Sequence, residues 1–146
     1  MRASLAPLIL GLLLTACGGP ARTTTIGSSS APAAACDVSG RWTGAGRDRA
    51  STSWTYALTL DQVGDRVTGR FDWAGDDGTV GPEDVAGTID CAARTLALEG
   101  HIAADQVSGS LAASRYRISL DPSFASFEGT WTGVDVVPGT FAGRRD

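Results

Sequence analysis

From Val38 onward one pattern of apolar and polar positions recurs: a large apolar residue, any residue, glycine, any residue, a second large apolar residue. It reads Val38-Gly40-Trp42, Val67-Gly69-Phe71, Val85-Gly87-Ile89, Val107-Gly109-Leu111, Phe127-Gly129-Trp131 and Val137-Gly139-Phe141. Each copy has a period of two, the period of a strand with one buried face. The residues between are mostly polar, among them Arg41, Thr68, Arg70, Thr88, Ser108, Glu128, Thr130 and Thr140. Three more segments alternate without the early glycine: Trp54-Tyr56-Leu58-Leu60, Leu96-Leu98-Gly100-Ile102 and Tyr116-Ile118-Leu120. The pattern predicts eight or nine strands joined by short turns such as Val63-Gly64-Asp65, with no helix after the N-terminal segment.

Short links between amphipathic strands predict hairpins, hence an antiparallel meander. A sheet with one apolar face and no helix to cover it must close on itself. Inward glycines remove side-chain bulk and let strands coil sharply, as barrels require. The predicted fold is all-β: an antiparallel meander over residues 36–146, closed into a small up-and-down barrel of 8–9 strands. An opened sandwich of two sheets is the alternative. Alternation also assigns burial. Trp42, Leu58, Phe71, Ile89, Leu98, Ile118, Trp131 and Phe141 should face inward; Arg41, Thr55, Arg70, Thr88, Glu99, Arg117 and Thr130 should face out.

Residues 1–16 have a different pattern. Arg2 precedes a nearly unbroken apolar run, Leu5 to Leu14, followed by small residues. That is the layout of a secretory signal peptide, and it is too short for a spanning helix, which needs ~20 apolar residues. Leu14-Thr15-Ala16-Cys17 resembles the bacterial lipobox. The resemblance implies that Cys17 is lipidated, becomes the first mature residue and partners a membrane through its acyl chains. Residues 17–35 are, after Cys17, Gly, Ser, Thr, Ala and Pro with one arginine, Arg22, and one large apolar residue, Ile26. Such a composition cannot bury enough surface to order itself, so it reads as a flexible linker. Lipoproteins retained at an inner membrane carry Asp after the cysteine. Gly18 stands there, which points to the outer membrane, facing the periplasm or the cell surface.

Composition narrows the function. The formal net charge is -4 and all 12 basic residues are arginine, so no basic excess invites nucleic acid. Three cysteines are present. With Cys17 assigned to lipid, Cys36 and Cys91 remain as a pair in a compartment that permits disulfides, against the alternative of two buried thiols.

Gly40-Arg41-Trp42 resembles the G-x-W that opens the first strand of lipocalin- and avidin-type barrels. Val67-Thr68-Gly69-Arg70-Phe71 is similar to an avidin-type strand. In those families the tryptophan packs near a basic residue of the last strand and closes the barrel base. The resemblance implies that role for Trp42 with Arg144 or Arg145, and no activity. Exported metalloprotease inhibitors of the barrel type share the early G-x-W and a single disulfide. Their inhibitory part precedes the barrel, which here is the linker.

Little in the chain points to catalysis. His101, the single histidine, falls on a polar face and lacks a nucleophile or orienting partner in the pattern. One histidine cannot build a multi-histidine zinc site. Neither G-x-S-x-G nor a Walker loop occurs. Asp72 to Asp77, continuing to Glu83 and Asp84, is the densest run of carboxylates. It has oxygen ligands for Ca²⁺ but not the D-x-D-x-D-G spacing, and Asp-Gly is an ordinary turn. No catalytic residue, metal or cofactor is therefore assigned. The four tryptophans, Trp42, Trp54, Trp73 and Trp131, all fall on the predicted inner face. They predict either a filled aromatic core or an apolar cup, in which Tyr56 and Trp73, nearest an open end, would touch ligand. Two functions follow: a binding module for a small apolar or amphipathic ligand, or a structural or inhibitory envelope lipoprotein that meets protein partners through its loops.

Overall fold

The period-two segments form strands β1 (Gly40–Asp48), β2 (Ser53–Val63), β3 (Arg66–Gly75), β4 (Val80–Asp90), β5 (Thr95–His101), β6 (Arg115–Leu120), β7 (Ser126–Thr132) and β8 (Gly139–Arg145). The computed structural model describes residues 36–102, 108–109 and 111–146. The segments read as signal peptide and linker, Cys17 included, lie outside the described residues. Each strand pairs antiparallel with the next, and β8 returns to β1 through Trp42↔Arg145 to Asp48↔Gly139. The sheet is a closed eight-stranded barrel, which removes the sandwich alternative.

Among the described residues no ninth strand forms. Of Val107-Gly109-Leu111, Val107 lies outside the described residues. Ser108 makes one isolated bridge to Val80, with both N–H···O contacts at 2.9 Å. Gly109 then takes φ +95°, which ends any extension. Closure explains this outcome. Alternating strands meet antiparallel around a ring only when their number is even, so an odd strand has no place to pair.

Register carries the alternation around the barrel. All eight residues assigned inward are buried, and all seven assigned outward are exposed. Among the described large apolar residues of the repeat, Leu111 is half-buried and Val137, which precedes β8, is 45% exposed. The outer wall carries ion pairs such as Arg41–Asp146 at 3.1 Å and Arg70–Asp72 at 3.3 Å. At this exposure each contributes ~0–1 kcal/mol.

The barrel has two unlike ends. At one lie the β2–β3, β4–β5 and β6–β7 turns and both ends of the described barrel chain. The segment Cys36–Ser39 runs across that end, from β1 to the β4–β5 turn on the opposite side of the ring. The Cys36–Cys91 disulfide ties it there, with Cα atoms 5.6 Å apart. Val38 is fully buried beneath it. The Gln62 amide fastens the segment a second time: its Oε1 accepts from Val38 N (2.9 Å) and its Nε2 donates to Cys36 O (2.9 Å). At the other end open the β1–β2, β3–β4, β5–β6 and β7–β8 connections.

Candidate functional site

Trp42 lies at the closed end. Its Nε1 donates to Val38 O at 3.0 Å, and the Arg145 guanidinium lies over its ring, 5.0 Å from the centroid. Arg145 also donates to Asp37 O. Arg144, next in the strand, has the opposite parity and is exposed on the outer wall. Of the two arginines named with Trp42, only Arg145 touches it.

Above this plug the interior is filled by aromatic rings. Tyr56 packs against Phe71 (5.3 Å), Trp73 (4.8 Å) and Phe141 (5.8 Å). Its hydroxyl donates to Ala142 O at 2.8 Å, and burial pushes its pKa well up. The hydroxyl occupies space left by Gly44 and Gly143, where a Cβ on either would overlap it. Here the inward glycines make room for aromatic side chains rather than for a ligand. Tyr56 thus belongs to the filled core and does not reach the open end.

Trp73 does reach it. A cavity of about 220 Å³ opens at the mouth, walled by Trp54, Trp73, Tyr116 and Trp131 and rimmed by residues of all four connections. Trp54 is half-buried, its Nε1 donating to Asp48 Oδ2 at 3.3 Å and its ring edge-on to Trp73. Trp131 donates from Nε1 to Val137 O at 2.9 Å, so its orientation is fixed by the β7–β8 connection. The Trp73 and Tyr116 rings are nearly parallel, 12° apart at 6.4 Å.

The cavity floor holds a carboxyl group. Glu83 is 1% exposed and points inward from β4. Its Oε1 accepts from Ser114 N at 2.7 Å, and its Oε2 accepts from the Tyr116 hydroxyl. Trp73 Nε1 faces the same pair, yet it is buried without a hydrogen-bond partner. Burial pushes the Glu83 pKa up, against the lowering effect of its donors. Burial also raises the Tyr116 phenol, reinforced by the neighbouring Glu83. Gly100 on β5 makes the space: a Cβ there would overlap Glu83 Oε1.

Glu83 is absent from the residues that sequence reading singled out for ligand contact. It stands there only in the acidic run, which strand alternation takes apart. Asp72 and Asp84 point outward to Arg70, Asp76 accepts from Ser53 N, and Asp77 accepts from Thr79 N. Of these carboxylates Glu83 alone is buried. Its parity with Val85, Gly87 and Ile89 was the available signal. Among the described residues, no group of three or more His, Cys, Asp or Glu side chains is placed to hold a metal ion. His101 is exposed at the end of β5.

A wider depression of about 940 Å³ lies on the outer wall over small side chains such as Ala45, Ala97 and Ala142. It is shallow and has no buried polar group facing it. The mouth cavity is the site with convergent chemistry.

The closed eight-stranded up-and-down barrel is filled by side chains below and hollow at its mouth. The solved structures agree in fold. A redesigned β-barrel, mFAP1, bound to DFHBI, superposes with a TM-score of 0.60 at 12% identity, over 75% of this chain and 94% of that one. A de novo designed fluorescence-activating β-barrel gives a TM-score of 0.56 at 14% identity, over 74% of this chain and 93% of that one. At such identities the likeness establishes the fold alone. No protein-family model matches the chain, and no curated protein matches it in sequence.

Proposed function

We propose that this protein is a cell-envelope lipoprotein, anchored through Cys17, whose barrel binds a small apolar or amphipathic ligand in its mouth and performs no catalysis. The observation that carries the binding reading is the aromatic-walled cavity of about 220 Å³ with a buried carboxyl group on its floor. A filled core has no use for a hollow lined by Trp54, Trp73 and Trp131, or for a buried indole N–H left without an acceptor. The likeness to barrels that hold DFHBI supports the same reading. Membership of the envelope rests on the signal-peptide layout and the Leu14-Thr15-Ala16-Cys17 motif.

A neutral fluorescent probe, N-phenyl-1-naphthylamine, tests the cup. It should bind the wild type and be excluded by Ala112→Phe, which places a ring in the mouth from outside the strands. A wild type that binds no probe, and that carries no co-purified molecule in native mass spectrometry, rejects the cup. Exposed valines near the rim, Val80, Val134 (82% exposed) and Val137, then favour the second reading, in which the loops meet a protein partner. Anchoring is tested by Cys17→Ser. Two or more acyl chains give stable attachment where one does not, so the variant, which loses them all, should move to the soluble fraction, and unchanged fractionation would reject the anchor.

A further inference from the structure

The mouth cavity is one-sided in charge. Four acidic residues line it, Asp48, Asp77, Glu83 and Asp135, and no Arg or His does so among the described residues. Asp48 and Asp77 lie at the rim, where each accepts a backbone N–H, from Thr52 and Thr79. Glu83 alone is buried. Around it converge three donors: Ser114 N–H, the Tyr116 hydroxyl and Trp73 Nε1–H, the last still unpartnered. Three donors suit a carboxylate, which only accepts, better than a carboxylic acid, which must also donate. A buried carboxylate nevertheless favours a counter-charge, and the described residues supply none here. The surrounding indole and phenol faces are negative at their centres and attract cations.

From this juxtaposition we infer that the cavity takes an organic cation: an ammonium group paired with Glu83, and an apolar body against Trp54, Trp73 and Trp131. The inference rests on the reading of the mouth as a ligand site, and deepens it by naming the ligand class. In the empty site burial raises the Glu83 pKa, and no cation offsets it among the residues that line the cavity. The arriving ammonium supplies the counter-charge that favours the carboxylate, and any proton Glu83 carries leaves to solvent. Negative charge at the rim steers the cation inward. Among the described residues the other titratable groups that line the cavity are Tyr116, Asp48, Asp77 and Asp135. None is basic, so none substitutes for the ligand's charge.

An isosteric pair tests this: benzyltrimethylammonium, and neopentylbenzene, which differs by carbon in place of the charged nitrogen. Both are titrated into the purified full chain, with tryptophan fluorescence as the readout. The cation should bind at least tenfold tighter, equivalent to about 1.4 kcal/mol. Its affinity should rise with pH as Glu83 loses its proton, and the preference should vanish in Glu83→Gln while neopentylbenzene binding is retained. The wild-type comparison decides the matter even if that variant does not fold. Equal or tighter binding of neopentylbenzene overturns the inference and leaves the cup standing. Binding of N-phenyl-1-naphthylamine without either isostere does the same. Failure of all three compounds removes the cup and the inference together.

Discussion

Trp42 and Trp73 are both buried indoles, at 0% and 6% exposure, but their N–H groups have opposite fates. Trp42 Nε1 donates to the buried Val38 carbonyl; Trp73 Nε1 has no partner. Replacing each by phenylalanine separates hydrogen bonding from packing. The volume removed is the same, so a cavity cost of roughly 1–3 kcal/mol applies at both sites and largely cancels in the comparison. At Trp42 two further losses add. The Val38 carbonyl becomes a buried acceptor without a donor, about 1–3 kcal/mol, and the contact with Arg145 weakens by about 0.5 kcal/mol. At Trp73 an unsatisfied donor disappears, which offsets part of the cavity cost. Trp42→Phe should therefore be less stable than Trp73→Phe by about 2–4 kcal/mol, summing these contributions. Urea unfolding followed by far-UV circular dichroism measures this as a shift in midpoint at unchanged slope. In thermal melts the gap should be roughly 8–16 °C for a barrel of this size. Two variants equal to within ~0.5 kcal/mol would refute the reasoning, because packing alone would then account for both.

Other outcomes follow from the same contacts. Removing the disulfide by Cys36→Ala with Cys91→Ala opens a loop of sequence separation 55 and releases the segment over Val38. The cost should be about 4 kcal/mol, read as a lowered urea midpoint. Gly100→Ala forces the Glu83 carboxyl to move, so benzyltrimethylammonium binding should fall at least tenfold while the barrel loses about 1–3 kcal/mol. The Glu83 pKa is raised by burial, so the folded state binds its proton more tightly than the unfolded chain. Its contribution to stability is then complete below the unfolded pKa and is lost as pH rises through the folded one. Wild-type melting temperature should fall with pH across that window relative to Glu83→Gln, and parallel pH profiles would contradict the assignment.

Much of the barrel was legible in residue order. The inward set from Trp42 to Phe141 follows from side-chain direction, which alternates along any extended chain whatever it packs against. The Cys36–Cys91 pairing followed from counting and compartment. Other features resisted the same reading for identifiable reasons. Val107-Gly109-Leu111 carries the strand pattern, but its described residues Ser108, Gly109 and Leu111 add no strand to the ring, because closure and not local preference limits the number of strands. Glu83 was grouped with neighbours in sequence by charge, whereas the fold separates it from them by parity. Tyr56 and Trp73 share one face and pair in register. Which of them reaches the mouth depends on the depth of the ring stack.

The sequence by itself determined the strands, the face each residue presents, the covalent staple and the absence of a basic surface. Those are local or compositional properties, set by backbone period and by residue identity. Only the tertiary structure decided that eight strands close the ring, that Arg145 rather than Arg144 meets Trp42, and that the interior is solid below and hollow above. It alone brought Glu83 from β4, Tyr116 from β6, Trp73 from β3 and the Ser114 amide to one point. A cavity is the space left after every side chain has been placed, and a buried carboxyl group acquires its chemistry from neighbours distant in the chain. Both depend on sums over non-local contacts, which no period along one strand records.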